Sequence, residues 1–151
     1  MALPDAERIA EVRDKGRLVE LARAAGVAVP ETWQPDGVDA LRDMADDIPM
    51  PVIVKVRRGV AGVGLEKVES REELLGTFAR MVERFCLDAG EMPIVQALAP
   101  GEDYCVTALF ERGEPRGSMT YRNLAKLSDG GPGAVRETVE AHAAEAATRK
   151  L

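Results

Sequence analysis

The sequence contains few of the residues that form disulfide and metal sites. Its 151 residues include two cysteines, Cys86 and Cys105, and a single histidine, His142. The cysteines are too few for a disulfide framework and too far apart for a zinc knuckle, and one histidine leaves a zinc site short of its usual ligands. We expect two reduced, buried thiols and no metal-binding side chains.

Aromatic residues and excess positive charge are also lacking. Aromatics make up 4% of the chain, and 20 Lys and Arg against 26 Asp and Glu give a net charge of −6. Phosphate backbones are bound by basic surfaces, and single strands by aromatic stacking platforms. The sequence therefore predicts that nucleic acid is not a partner.

Long hydrophobic runs are absent as well. A membrane span needs about 20 apolar residues, and no stretch approaches that length. The start of the chain, MALPDAERIAEVRDK, carries acidic residues where a secretory signal has basic and then apolar ones. We expect a soluble, cytoplasmic protein that does not bind a membrane.

The remaining composition, 46% hydrophobic and 30% charged, is that of a globular domain. Three longer stretches and a short one, at Asp39–Asp46, have helical patterns. One follows Asp14 and ends at Gly26, a second follows the capping box at 70–73, and the third runs from Val135 to Leu151 without a Gly or Asn stop. The apolar positions of the first two helices are Leu18, Leu21, Ala22 and Ala25, and Leu74, Phe78, Met81 and Phe85.

Short apolar runs predict β-strands. They lie at 51–55, 65–68, 93–98, 104–110 and 116–121, with a weak edge strand at 27–33. The turn at 111–114 predicts a hairpin between the last two runs.

A glycine-rich segment joins the strand that ends at Lys55 to the next strand. Its residues are Gly59, Val60, Ala61, Gly62, Val63 and Gly64. Backbone N–H groups of such a loop can surround an anion while the lysine supplies positive charge. The segment lacks the Gly-Lys-Ser/Thr of a Walker A loop, and it leads to a strand where a dinucleotide-binding fingerprint leads to a helix. Taken alone, it also fits an ordinary surface loop.

The order of the motifs narrows the interpretation. Asp14-Lys15 at a helix start, Pro51-Val-Ile-Val-Lys55 with its glycine loop, and Ile94-Val-Gln96 followed by Pro100-Gly-Glu-Asp-Tyr104 resemble the ATP-grasp superfamily. Its members include D-alanine–D-alanine ligase, biotin carboxylase and the large subunit of carbamoyl phosphate synthase. The resemblance implies an α/β (α+β) ATP-grasp fold with two lobes of antiparallel sheet plus helices. The first lobe would span 1–98, and the second, at 99–151, would be incomplete.

The resemblance also implies the roles of individual residues. Lys15 matches a basic residue that reaches the nucleotide phosphates, Lys55 matches the lysine that bridges the α- and β-phosphates, and the glycine loop matches the flexible cover over them. Asp103 or Glu102 matches the acid on the ribose hydroxyls. The adenine-binding hinge corresponds to Gln96, Ala97, Leu98 and Ala99.

This chain departs from the family pattern at three places. Val56 stands where a proline is usual, and the glycine loop has no serine to donate to phosphate. Gln96 replaces a frequent glutamate, which leaves one acceptor oxygen for the adenine amine.

The implied function is the ATP-binding part of an ATP-dependent carboxylate–amine (or thiol) ligase that acts through an acyl phosphate. ATP, Mg²⁺ in the complete enzyme, and a small carboxylate or amine substrate would be its ligands. The acidic strand residue and Glu-x-Asn-like metal motif of the family are missing after Tyr121. The remaining acids are placed in a loop or a helix, at Asp129, Glu137, Glu140 and Glu145. We therefore expect a catalytically inactive fragment whose exposed apolar surface favours a homodimer.

Two other functions remain open at this stage. The chain could be a nucleotide-binding or regulatory module without chemistry of its own, or an interaction domain whose glycine loop binds nothing. In the latter case Lys15 and Lys55 are surface lysines and Asp103 is a turn residue. Arg122 and Arg136 fit either a contact to phosphate or an acidic substrate, or a place on the surface.

Overall fold

The computed structural model describes residues 4–127 and 131–151, which form two antiparallel sheets with helices. The helices are α1 (Ala6–Arg13), α2 (Lys15–Ala24), α3 (Val38–Met44), α4 (Arg71–Arg84) and α5 (His142–Thr148), with a 3₁₀ turn at Ala45–Asp47. The strands are β1 (Thr32–Trp33), β2 (Val52–Lys55), β3 (Leu65–Val68), β4 (Ile94–Ala97), β5 (Tyr104–Glu111), β6 (Glu114–Lys126) and β7 (Gly133–Thr138). None of these helices is long and apolar enough to cross a membrane.

The first sheet has the strand order β1-β4-β2-β3, and every pairing in it is antiparallel. Because side chains alternate along a strand, β2 presents Val52 and Val54 to a core and Ile53 and Lys55 to the opposite face. Helices α3 and α4 cover the core face, where Leu41 is fully buried. The opposite face of this sheet is left to form one wall of a cleft.

Helix α4 confirms the predicted helix after the capping-box sequence. It begins directly after Ser70, and its apolar stripe packs on the sheet, with Leu74, Phe78 and Met81 at most 1% exposed. Phe85 lies partly buried against the same core.

Helix α2 begins at the predicted position but buries a different face. Its buried residues are Gly16, Val19 and Ala22, whereas Leu18 and Leu21 stay 37% and 38% exposed. The reason is the close approach of other side chains to Gly16. A Cβ at this position would lie 1.9 Å from Nη1 of Arg57.

An ion pair between Asp14 and Arg57 ties α2 to the segment after β2. The Arg57 Nη1 atom lies 3.1 Å from Oδ1 of Asp14, both side chains are about 15% exposed, and Arg57 Nε donates to the Met92 carbonyl. Asp14 also caps α2 by accepting from the N–H groups of Gly16 and Arg17. Burial raises the pKa of the Asp14 carboxyl, but the Arg17 N–H and the Arg57 guanidinium outweigh burial and hold it below its ordinary value.

The second sheet has the order β5-β6-β7. The predicted hairpin at 111–114 is confirmed, with Arg112 and Gly113 at φ values of 53° and 82°, as a two-residue hairpin turn requires. Strand β6 is longer than predicted. The predicted division into parts 1–98 and 99–151 remains a prediction.

The prediction that the last helix starts at Val135 is wrong. Residues Gly133–Thr138 form β7, and the helix begins only at His142. Strand β6 offers an unpaired edge to this segment, so backbone hydrogen bonds across strands replace those within a helix. Glu137 therefore lies on a strand. Asp129 falls outside the described residues, as does all of 128–130, the first half of the loop predicted at 128–133.

The two cysteines are free thiols, but neither is buried as expected. Cys86 is exposed and Cys105 is half-buried. Cys86 follows the end of α4 at a positive φ of 49°, which places it in the turn that leaves the helix.

The Asp14–Arg57 pair yields a stability prediction. Arg57→Met should lower the free energy of unfolding by roughly 1–3 kcal/mol, because it leaves a partly buried carboxylate without its charged donor. The neighbouring variant Arg58→Met is a matched control, since Arg58 pairs with Glu91 on the surface, where its side chain is 60% exposed. We expect that control to stay within about 0.5 kcal/mol of the parent. Equal urea-unfolding midpoints for the two variants would contradict a structural role of this pair.

Candidate functional site

A cleft of about 690 Å³ lies where the two sheets meet. The first sheet and the hinge segment 96–99 supply most of its wall. Asp103, directly before β5, and Lys126, at the end of β6, supply an acid and a lysine from the other side. Its lining residues are Pro30, Ile53, Lys55, Leu65, Lys67, Gln96, Ala97, Leu98, Ala99, Asp103 and Lys126. Six of the residues singled out in the sequence meet here, namely Lys55, Gln96, Ala97, Leu98, Ala99 and Asp103.

Lys55 is the last residue of β2, and its ammonium group is partly buried in the cleft. Its Nζ donates to Oε1 of Gln96 over 2.6 Å. Burial, and then the charge of nearby Lys15, lower the pKa of Lys55 below 10.5. Among the described residues, no carboxylate forms an ion pair with Lys55. Within the described residues, the positive charge of Lys55 thus has a neutral amide as its partner.

The Gln96 side chain is 9% exposed and is held at both ends. Its Oε1 accepts from Lys55, and its Nε2 donates to the hydroxyl of Thr32 over 2.8 Å. Thr32 in turn donates its hydroxyl hydrogen to the carbonyl of Pro30. Thr32 had no sequence signal, because it meets Gln96 only through the pairing of β1 with β4.

The hinge segment 96–99, at the end of β4, has one backbone N–H for which the described residues offer no acceptor. The N–H of Ala97 donates to the Glu31 carbonyl over 2.9 Å, and that of Leu98 to the Pro51 carbonyl over 3.4 Å. Within residues 4–127 and 131–151, the N–H of Ala99 has no protein acceptor. Ala99 is exposed and lies on the cleft wall.

Lys15 and the glycine loop lie beside the cleft and do not line it. Lys15 Nζ donates to the backbone carbonyls of Gly59 and Arg57, at 2.9 and 3.3 Å. Burial lowers the pKa of Lys15, and the charge of Asp14 opposes that shift. In this conformation Lys15 fastens the base of the loop.

The glycine loop has the positive φ angles that its glycines favour. Ala61, Gly62 and Gly64 have positive φ values of 55°, 82° and 69°. At its tip Val60 and Val63 are 73% and 59% exposed. The loop therefore turns sharply through left-handed backbone conformations and exposes two valine side chains to solvent.

The two acids at the start of the second sheet have different surroundings. Asp103 lies in the cleft and forms an ion pair with Lys126. Glu102 does not line the cleft; it accepts from Tyr104 and Arg122, which hold the pKa of its carboxyl below the ordinary value. Of the two, Asp103 is the one placed to meet a ligand.

The two arginines left open by the sequence both have protein partners. Arg122 bridges Glu102 on one side and Glu137 of β7 on the other, at 3.0 and 2.8 Å. The Arg136 guanidinium lies 4.7 Å from the centre of the Tyr121 ring. Neither arginine lines the cleft.

Lys67 and Lys126 are cleft residues that sequence reasoning missed. With Lys55 they put three lysines on the cleft wall, where Lys126 pairs with Asp103 and Lys67 pairs with Glu69, which does not line the cleft. Ile53, Leu65 and Pro30 supply apolar wall. In the part of the chain that the structure describes, no three or more His, Cys, Asp and Glu side chains come together as metal ligands. The cleft is suited to an anionic ligand that also has a flat apolar part.

Comparison with known proteins gives a sequence match to one kind of enzyme subunit. Over 124 residues, the chain is 32% identical to the carbamoyl phosphate synthase large chain of Mycobacterium sp. (strain JLS) and 31% identical to that of Mycobacterium tuberculosis (strain ATCC 25618 / H37Rv). The match covers 76% of this chain and 11% of each relative, so the chain spans a small part of their length. No protein-family model matches it.

Solved structures show the same fold. Phosphoribosylamine–glycine ligase from Thermotoga maritima has a TM-score of 0.73 at 16% identity, over 95% of this chain and 40% of that one. Carboxyaminoimidazole ribonucleotide synthase from Aspergillus clavatus, complexed with ATP, has a TM-score of 0.70 at 16% identity, over 97% and 39%. The biotin carboxylase domain of Hydrogenobacter thermophilus 2-oxoglutarate carboxylase, in complex with MgADP, ADP and bicarbonate, has a TM-score of 0.63 at 18% identity, over 80% and 28%.

The order of motifs, the two antiparallel sheets and these likenesses agree with one another. The predicted α/β ATP-grasp fold is confirmed. The chain has the ATP-grasp fold, and over 76% of its length it is similar to a part of the carbamoyl phosphate synthase large chain.

Proposed function

We propose that the cleft binds ATP and that Lys55 contacts its phosphates. The observation that carries the proposal is the partly buried Lys55 ammonium, which has a neutral amide as its partner beside an unused hinge N–H. Because the Gln96 amide carries no negative charge, the charge of Lys55 is not neutralised and can attract an anionic ligand. The predicted phosphate role of Lys55 and the predicted hinge role of 96–99 are both part of this proposal.

The residues present fit an adenine nucleotide. The free N–H of Ala99 would donate to a ring nitrogen of the base, and Oε1 of Gln96 would accept from its 6-amino group. Ile53 and Leu65 offer apolar surface for the ring. Asp103 would leave its ion pair with Lys126 and accept hydrogen bonds from the ribose hydroxyls, because a carboxylate accepts strongly from hydroxyl donors.

Lys15 and the glycine loop would act at the phosphates after a local rearrangement. Lys15 now donates to two carbonyls at the loop base. Phosphate oxygens are stronger acceptors than carbonyls, so a bound nucleotide would draw this ammonium away from Gly59. Backbone N–H groups of residues 59–64 would then close over the phosphates.

We propose further that the whole protein is an ATP-dependent ligase joining a small carboxylate to an amine. Bound ATP would supply the phosphoryl group and Mg²⁺ would neutralise its charge. Since the described residues hold no carboxylate cluster, the ligands of that ion would come from elsewhere in the protein. The 151 residues alone are then not catalytic, and self-association of the chain remains a prediction.

A regulatory nucleotide-binding module is the second candidate. The same lack of a carboxylate cluster favours it, because a module that only senses nucleotide has no need to position a metal for transfer. Both candidate functions use the cleft to bind nucleotide. They differ in whether the complete protein catalyses a reaction with it.

Binding through Lys55 is testable by substitution. Lys55→Met should weaken binding of a non-hydrolysable ATP analogue roughly tenfold to a hundredfold, because it removes a charge-assisted hydrogen bond. The control is Lys150→Met, since Lys150 is exposed and donates to the Gly26 carbonyl outside the cleft. Calorimetry on both variants gives the comparison. Equal affinity of parent and Lys55→Met would refute the assignment.

The lowered pKa of Lys55 gives a pH dependence. The ammonium form binds phosphate, so affinity should be constant at neutral pH and should fall as the pH rises through the lowered lysine pKa, before the ordinary 10.5 is reached. Lys55→Met should remove much of this slope, and the part that remains should belong to Lys15, whose pKa is also lowered. An affinity that stays flat up to pH 10.5 would contradict a role for either ammonium group.

The proposed lack of catalysis is tested by Mg²⁺-dependent release of ADP from ATP. The 151-residue chain should show no release above background with a panel of small carboxylates and amines, because transfer depends on a positioned metal. Turnover well above background would show that acids judged to be structural serve as metal ligands.

A further inference from the structure

We propose that Thr32 determines which purine the cleft accepts. By fixing the Gln96 amide with its oxygen toward Lys55 and the cleft, Thr32 selects a base with a 6-amino group over one with a 6-oxo group. The inference rests on the proposed binding of a purine nucleotide, and it assigns base specificity to a residue that does not line the cleft.

An amide, unlike a carboxylate, has two chemically different ends. Lys55 has only donors, so the end of Gln96 that faces it must be the oxygen. The Thr32 hydroxyl has one hydrogen, and it gives that hydrogen to the Pro30 carbonyl. It can therefore only accept from the other end of the amide, which must be the nitrogen. The chain of three hydrogen bonds permits a single orientation.

Thr32 becomes decisive once nucleotide is bound. In the proposed complex Lys55 turns to the phosphates, and Gln96 loses the partner that held its oxygen end. Thr32 stays in place because the backbone of β1 pairs with β4, with Thr32 directly opposite Gln96. The Thr32 hydroxyl is then the group that keeps Oε1 toward the base.

The fixed oxygen discriminates between purines by hydrogen-bond direction. The 6-amino group of adenine donates to Oε1. The 6-oxo group of hypoxanthine or guanine would place one acceptor against another, at a side chain that is 9% exposed. Leaving a buried polar group unpaired is the strongest means by which a site rejects an analogue.

The test compares ADP with IDP, which carry the same phosphates; IDP has a 6-oxo group and a hydrogen on N1, where ADP has a 6-amino group and a bare N1. Phosphate contacts then cancel in the ratio of dissociation constants measured by calorimetry. The parent chain should favour ADP by about tenfold or more. Thr32→Val, which keeps the β-branched shape without the hydroxyl, should lower that ratio about threefold or more, because the amide can rotate and offer its nitrogen. Any preference that remains in this variant belongs to N1 of the base, which is bare in ADP and carries a hydrogen in IDP.

Three further variants isolate the hydroxyl. Thr32→Ser keeps the acceptor and should keep the parent ratio, whereas Thr32→Ala should lose it as Thr32→Val does, and it serves as the test if the valine variant fails to fold. Thr107→Val, at an exposed threonine of β5, should leave the ratio unchanged.

A carboxylate at position 96 provides the decisive background. In Gln96→Glu both ends are acceptors and no orientation is needed, so adding Thr32→Val should change the ratio by less than about twofold. The same loss in both backgrounds, a parent ratio retained by Thr32→Val, or a loss with Thr32→Ser would each overturn the inference. Equal binding of ADP and IDP by the parent would overturn the role of Thr32 and leave the proposed nucleotide binding intact. A parent chain that binds neither nucleotide overturns the proposed function, and the inference with it.

Discussion

The site depends on the register between β2 and β4. Ile53 lies opposite Gln96, and Lys55 lies opposite Ile94, so the ammonium of Lys55 reaches the Gln96 amide diagonally across two neighbouring strands. A shift of one residue would turn Lys55 toward the core and Val54 toward the cleft. The buried valines prevent such a shift, since Val52 and Val54 are both 0% exposed beneath α4. Core packing thus holds the lysine at the cleft.

Charge is distributed unevenly over the molecule, and that unevenness defines the cleft. The chain has a net charge of −6, yet in the described part of the chain three of the four charged residues that line the cleft are lysines. Gln96 contributes to this excess, because a carboxylate at its position would pair with Lys55 and cancel a charge. The neutral amide leaves that charge to a ligand, and it creates the need for an orienting partner that Thr32 meets.

Much of the fold could be predicted because it follows from local patterns. Helix α4 has a start signal and an apolar stripe close to one another in sequence, and the turn at Arg112-Gly113 has the glycine that a tight hairpin needs. Two wrong predictions, the start of the last helix and the buried face of α2, concern segments whose environment is set by residues outside the segment itself. Val135 lies in a strand because β6 has an open edge, and α2 turns Gly16 inward because Arg57 approaches it there.

The sequence by itself determined the order of motifs, and with it the lysine, the glycine loop, the hinge and Asp103 as candidate residues. It could do so because the order of these short contiguous segments resembles that of the ATP-grasp superfamily, and a resemblance in order can be read without the fold. Tertiary structure alone decided which residues share the cleft, that Lys15 fastens the loop, and that Lys126 and Thr32 join the site. Thr32 and Gln96 are 64 residues apart along the chain. No pattern within a short window specifies such a contact; strand pairing makes it.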